Sequence, residues 1–136
     1  MLATHSGRYA STPVGCTKRY RPCVTVPFRL LREALRHLSL EPDEQRAALD
    51  GCPVTDELAL DLDNAVTSLA HASEEAGLTL DREVVAALAA LHEGLSAPPD
   101  APVWDDEALD QHPVWADARA TSRSLLARLP QAGRCR

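Results

Sequence analysis

The sequence predicts an all-α protein: a compact bundle of four main helices plus one or two short helices, with an irregular N-terminal arm. Three observations support this fold class. Leucine and alanine dominate the 136 residues, and both favour helices. The chain has no isoleucine and a single phenylalanine, whereas strands favour β-branched and aromatic residues. Apolar residues recur at intervals of three and four, which is the spacing of one helix face.

The chain divides into three parts. Residues 1–26 mix Ser, Thr, Gly, Pro and basic residues without an apolar period, which predicts an irregular basic arm. Residues 27–130 carry the periodic segments and are predicted to form the helical domain. Residues 131–136 are predicted to be a flexible tail. A domain of this length can bury a core without disulfides or a structural metal.

The first two helices are predicted from proline starts and apolar spacing. Pro27 suits the first position of a helix that runs to about Leu38. Pro42 likewise begins a short helix that ends near Asp50, and Gly51 suits a left-handed C-terminal cap. The apolar face of the first helix consists of Phe28, Leu31, Leu35 and Leu38.

The third helix has the most regular pattern. Thr55 is a good N-cap, and Gly77 ends the pattern. About twenty residues give a rod of roughly 30 Å, so we expect this helix to be the central one. Its apolar positions are Leu58, Leu62, Ala65, Leu69, Ala72 and Ala76.

A proline-rich connector separates the last two main helices. Asp81 suits the N-cap of the fourth helix. The connector over residues 97–102 favours an extended backbone, and a short helical turn near Asp105 to Asp110 follows it. The last helix begins around Pro113. The apolar stripes of the two helices are Val84, Leu88, Leu91 and Leu95, then Trp115, Ala118, Ser122, Leu125 and Leu129.

The net charge of −6 hides a marked asymmetry. Residues 1–36 carry a formal charge of +6, residues 37–117 carry −17, and residues 118–136 carry +5. Such segregation creates a directional field. Either the basic ends fold back onto the acidic middle, or the acidic middle faces a basic partner. An acidic surface repels phosphates, which argues against direct nucleic-acid binding by the middle segment.

Two acidic stretches are the candidate partner-binding sites. The first lies at the start of the third helix, where like charges at helical spacing repel each other and call for a counter-charge. Three explanations of this stretch remain open. Its carboxylates pair with arginines of the first or last helix, they face a partner surface, or they form a metal or catalytic site. The second stretch lies between two tryptophans that either anchor the loop or leave one ring as a binding anchor. The predicted partner-binding residues are Asp56, Glu57, Asp61, Asp63, Asp105, Asp106 and Trp104.

Motifs for catalysis or for a bound group are not found in the sequence. The close pair Cys16 and Cys23 is too widely spaced for a zinc knuckle. No two of the five histidines share a helix turn, and neither a glycine-rich phosphate loop nor a nucleophile elbow occurs. We therefore predict no catalytic residue, no cofactor and no metal site. Without an apolar leader or a membrane-length apolar run, we expect a cytoplasmic protein whose cysteines form no disulfides.

Two stretches carry a resemblance to known proteins. Residues 52–63 and Trp104 to Trp115 resemble parts of small bacterial all-helical proteins that have no assigned activity. In size and acidity the chain is also similar to the immunity proteins of bacterial toxin systems. The resemblance implies a helical protein that binds and neutralises a basic partner, and it transfers no site residue.

The leading hypothesis is a non-catalytic interaction protein whose acidic residues bind a basic protein, such as a toxin or a nucleic-acid-handling enzyme, without contacting a membrane. One alternative is a small metal-dependent or hydrolytic enzyme, with carboxylates and a histidine converging inside the bundle. The other is a regulator that contacts nucleic acid through the basic arm, where Lys18, Arg19 and Arg21 flank Tyr20.

Overall fold

The computed structural model describes residues 26–76 and 80–129, and its regular elements are helical. No strand occurs among these residues, so the predicted all-α fold class is confirmed. Apart from Val26, the predicted arm and tail lie outside the described residues. The helices are α1 (Val26–Ser39), α2 (Pro42–Ala48), α3 (Val54–Ala76), α4 (Arg82–Gly94), α5 (Ala108–Gln111) and α6 (Pro113–Arg128), with a 3-10 turn over Pro102–Trp104.

The bundle is organised around α1. This helix packs against both α3 and α6, and α4 packs against α6 and α3. Leu31, Leu35 and Leu38 are completely inaccessible to solvent, so α1 is the central helix instead of the longer α3. Its charged side chains lie on the opposite side, as the spacing predicts, and burial of the leucine face is the main stabilising contribution of α1.

The predicted apolar stripes form one core. Val84, Leu88, Leu91 and Leu95 of the fourth helix are all buried in it. Every predicted position of the last helix is buried as well, including Ser122, whose exposed fraction is 0%. The helical periodicity therefore identified the inward faces correctly.

The helix ends agree with the sequence at some positions and differ at others. Gly51 has φ +86°, which is the predicted left-handed conformation. However, α2 ends at Ala48 with Leu49 as its C-cap, so Gly51 lies in the turn after the cap and is not the cap itself. The Asp81 side chain accepts from the Glu83 N–H, as expected of an N-cap. Thr55, by contrast, lies inside α3, which begins at Val54. The predicted N-cap role of Thr55 was wrong, because its hydroxyl is used in a tertiary hydrogen bond.

Candidate partner-binding surface

The second acidic stretch forms an irregular loop on the surface, here called the acidic loop and defined as residues 98–111. It contains the 3-10 turn and α5. All five of its carboxylate residues are exposed, so they retain most of their hydration. They are Asp100, Asp105, Asp106, Glu107 and Asp110.

Side-chain donors from other elements fix the backbone of the acidic loop. The Thr55 hydroxyl of α3 donates to the carbonyl of Trp104 over 2.7 Å. The indole N–H of Trp115 on α6 donates to the carbonyl of Val103 over 2.9 Å. Within the loop, the indole of Trp104 donates to the carbonyl of Pro98 over 2.7 Å. These bonds satisfy carbonyls that no regular element pairs, and they hold the loop in one conformation.

The two tryptophans anchor the loop in different ways. Trp115 is 1% exposed and belongs to the core. Trp104 is half-buried, and its ring meets that of Trp115 edge to face, with centroids 6.1 Å apart. Trp104, one of the predicted partner-binding residues, therefore packs against the fold and also reaches the surface beside the carboxylates.

Two arginines reach the inward side of the acidic loop: Arg119 of α6 donates to the Leu109 carbonyl at 3.3 Å, and Arg46 makes the larger set of contacts. Arg46 of α2 bonds Asp110 through Nη2 at 2.5 Å, and its Nε lies 3.3 Å from Asp106 Oδ1. It also donates to the Asp106 carbonyl at 3.1 Å and to Asp43 at 3.3 Å. These hydrogen bonds lower the pKa of Asp110 and raise that of Arg46. This role of Arg46 was not predicted from the sequence, although Arg46 is one of the few basic residues in the segment of charge −17.

The outward side of the acidic loop carries carboxylates that have no counter-charge among the described residues. Asp100, Asp105 and Glu107 form no ion pair or side-chain hydrogen bond with the residues the structure describes. Asp105 and Glu107 line an open groove of about 340 Å³. Pro102 and Pro113 contribute apolar surface to the same groove. The loop therefore presents negative charge beside an apolar recess.

The first acidic stretch is arranged differently. Glu57 is only 8% exposed, and Glu57 and Asp61 both have interaction partners. The Asp63 carboxylate lies 2.7 Å from Nε2 of His92, which joins α3 to α4. Only Asp56, which is half-buried, has no partner among the described side chains. Most of this predicted site is thus engaged within the chain.

Leu60 shows that the first turns of α3 are covered on the side away from the core. It lies two residues from both Leu58 and Leu62, which face the core, so it points away from the bundle. Leu60 is nevertheless only 5% exposed and does not belong to the main apolar cluster. The outer side around Glu57 and Leu60 is consequently covered.

Basic residues of the last helix pair with acids of other helices. Arg123 bonds Glu41 at 2.6 Å, and this hydrogen bond lowers the pKa of Glu41. Arg128 bonds Asp81 at 3.0 Å and Glu83 at 2.8 Å. The predicted folding back of the basic ends thus occurs for α6, although these pairs are exposed and each contributes little to stability.

The cysteine and helix-cap chemistry differs from what the sequence suggested. Cys52 is disulfide-bonded, which contradicts the prediction that the cysteines form no disulfides. The remaining cysteines, like the arm with Lys18 and Arg21, lie outside the described residues.

At the start of α6, His112 accepts from the Val114 N–H at Nδ1 over 3.1 Å. Histidine is an uncommon N-cap, so this role could not be predicted from the residue type.

Within residues 26–76 and 80–129, no three His, Cys, Asp or Glu side chains are placed to hold a metal ion together. Over the same residues, no helix combines the length and apolar character needed to span a bilayer. Comparison of the chain with known proteins found no matching family model, no similar curated protein and no similar solved structure.

Proposed function

We propose that this protein is a non-catalytic interaction protein that binds a basic protein through the outward carboxylates of the acidic loop. The observation that carries the proposal is the contrast between the two sides of that loop. Asp106 and Asp110 are paired with Arg46, whereas Asp105 and Glu107 have no counter-charge among the described residues. A basic surface would supply the missing charge.

The rigidity of the loop supports the proposal. Hydrogen bonds from Thr55 and Trp115 fix its backbone, so its carboxylates need little further ordering when a partner binds. Preorganisation of this kind reduces the entropic cost of association. Complementary charge mainly accelerates encounter and sets specificity. Neutralisation of a toxin or of a nucleic-acid-handling enzyme is the form of this function that the proposal favours.

Of the predicted partner-binding residues, Asp105 and Trp104 belong to the proposed surface, whereas Asp106 is paired with Arg46 on the inward side of the loop. Asp56 lies next to Thr55, which holds the loop. Glu57, Asp61 and Asp63 are engaged elsewhere. A cytoplasmic location stays a prediction, and the disulfide at Cys52 counts against it, because disulfides are rare in reducing compartments.

The experiment is a comparison of two variants with the same loss of charge. The loop variant carries Asp100→Asn, Asp105→Asn and Glu107→Gln. The control variant carries Glu33→Gln, Glu93→Gln and Asp117→Asn. None of the substituted residues has an ion pair with another described residue.

Wild type and both variants are used to capture proteins from the source lysate at low salt. We expect wild type and the control variant to retain the same basic protein, and the loop variant to lose it. Retention by all three proteins, or recovery of no basic protein, would contradict the proposal.

A further inference from the structure

The groove beside the acidic loop has the features of a binding site for one basic side chain. It is about 340 Å³ in volume and open to solvent, and Asp105 and Glu107 lie in its lining. The remaining lining residues are Pro102, Ala108, Gln111, His112 and Pro113. A long basic side chain has an aliphatic stem that packs on apolar surface and a charged head that seeks acceptors, and the groove offers both.

We propose that this groove receives an arginine side chain of the partner protein, with its guanidinium at Asp105 and Glu107. This inference rests on the proposed function and names the chemistry its partner must present. The stem would lie on Pro102, Ala108 and Pro113. Charge complementarity selects a cation, since the two carboxylates have no counter-charge among the residues that the structure describes.

The opposite side of the same loop shows which cation its carboxylates hold well. There the guanidinium of Arg46 bonds two carboxylates and a carbonyl, the groups being supplied by Asp106 and Asp110. A guanidinium presents five donors in a plane and can satisfy several acceptors at once, whereas an ammonium acts as a point charge. We therefore assign arginine, and not lysine, to the groove.

The test uses three short capped peptides as probes: Gly-Arg-Gly and its counterparts with citrulline and with lysine. Citrulline keeps the shape of arginine without its charge. Binding to the full chain, labelled with 15N, is followed by NMR. We expect the arginine peptide to shift the amide signals of Ala108 and Gln111, and to bind at least about fivefold more tightly than either counterpart.

Two double variants locate the binding. Asp105→Asn with Glu107→Gln removes both carboxylates of the groove, and we expect it to abolish the difference in affinity among the peptides. Glu93→Gln with Asp117→Asn removes the same charge elsewhere and should leave the difference intact. Equal binding of arginine and citrulline peptides, equal binding of arginine and lysine peptides, or persistence of the difference in the first double variant would overturn the assignment.

The same double variant separates this inference from the proposed function. If the three-residue loop variant loses the captured basic protein while Asp105→Asn with Glu107→Gln retains it at full strength, the acidic loop binds a partner without an arginine in the groove. In that case the inference fails and the proposed function stands. If neither variant loses the protein, both fail.

Discussion

Two acidic segments of this chain look alike as sequence and differ in the fold. The run that begins at Asp56 lies in the first half of α3, where Glu57 is buried and Asp63 pairs with His92. The acidic loop stands on the surface with every carboxylate exposed. The difference teaches that charge density alone does not identify an interaction surface, because the surrounding elements decide which carboxylates remain available.

The difference in exposure between the two acidic segments has a simple physical origin. A helix that packs on one face can still be covered on the other, as Leu60 shows on α3. The acidic loop, unlike a long amphipathic helix, does not bury a continuous apolar face. Its backbone carbonyls are satisfied by side-chain donors such as Thr55 and Trp115. It can therefore display its side chains without leaving backbone groups unpaired.

The largest expected effect comes from removing the core anchor of the acidic loop. Trp115→Ala deletes a ring that is 1% exposed and holds the Val103 carbonyl. We expect a loss of about 3–5 kcal/mol in the free energy of unfolding, measured by urea denaturation. Trp104→Ala, at a half-buried ring, should cost clearly less. An equal loss of unfolding free energy in the two variants would contradict the assignment of Trp115 to the core and of Trp104 to the surface of the fold.

A smaller effect is expected at the hydrogen bond that joins the two acidic segments. Thr55→Val keeps the shape of the side chain and leaves the Trp104 carbonyl without its 2.7 Å donor. We expect a loss of about 1–2 kcal/mol in unfolding free energy and faster amide exchange in the loop. Thr55→Ser should restore both. Thr67→Val, at an exposed position of α3, is the control and should have almost no effect.

The inward side of the loop predicts a dependence on pH. Hydrogen bonds from Arg46 hold the pKa of Asp110 below its ordinary value of 3.8. As pH falls, the unfolded chain therefore takes up this proton first, so the contribution is complete above about pH 5 and is lost as pH falls through the folded pKa. In Arg46→Met this part of the acid dependence should be strongly reduced, since only the weaker charge interaction with Arg119 remains; denaturation between about pH 5 and pH 2 measures it. An unchanged dependence would show that Arg46 does not hold Asp110.

The smallest effect on stability is expected on the outward side. Asp105→Asn with Glu107→Gln changes exposed residues without described partners, so the unfolding free energy should stay within about 0.5 kcal/mol of wild type. Its thermal unfolding should superimpose on that of Glu93→Gln with Asp117→Asn. A substantial change would mean that these carboxylates have a structural role and would weaken their assignment to a partner.

Local pattern predicted most of the scaffold. The spacing of Leu31, Leu35 and Leu38 identified the inward face of α1. Gly51 correctly indicated a left-handed turn after the second helix, although that helix ends two residues earlier than predicted. Helical period and cap chemistry are local properties, so a sequence displays them directly. The central position of α1 was not visible, because length and regularity do not reveal which helix has neighbours on two sides.

The candidate site was only half predictable. Asp105, Asp106 and Trp104 were identified from composition, but the division of the loop into a paired and an unpaired side depends on Arg46, which lies 60 residues from Asp106 in the chain. The burial of Glu57 and the pairing of Asp63 with His92 are likewise tertiary contacts. No periodicity or motif encodes contacts of such sequence separation.

The central claim is that the acidic loop, and not the acidic run of α3, binds the basic partner. The most direct test measures the dissociation constant of the captured protein for wild type and two double variants by calorimetry at low salt. Asp105→Asn with Glu107→Gln should weaken binding about tenfold or more, while Asp61→Asn with Asp63→Asn should leave it within about threefold of wild type. The reverse order, with the α3 variant impaired and the loop variant unaffected, would contradict the account.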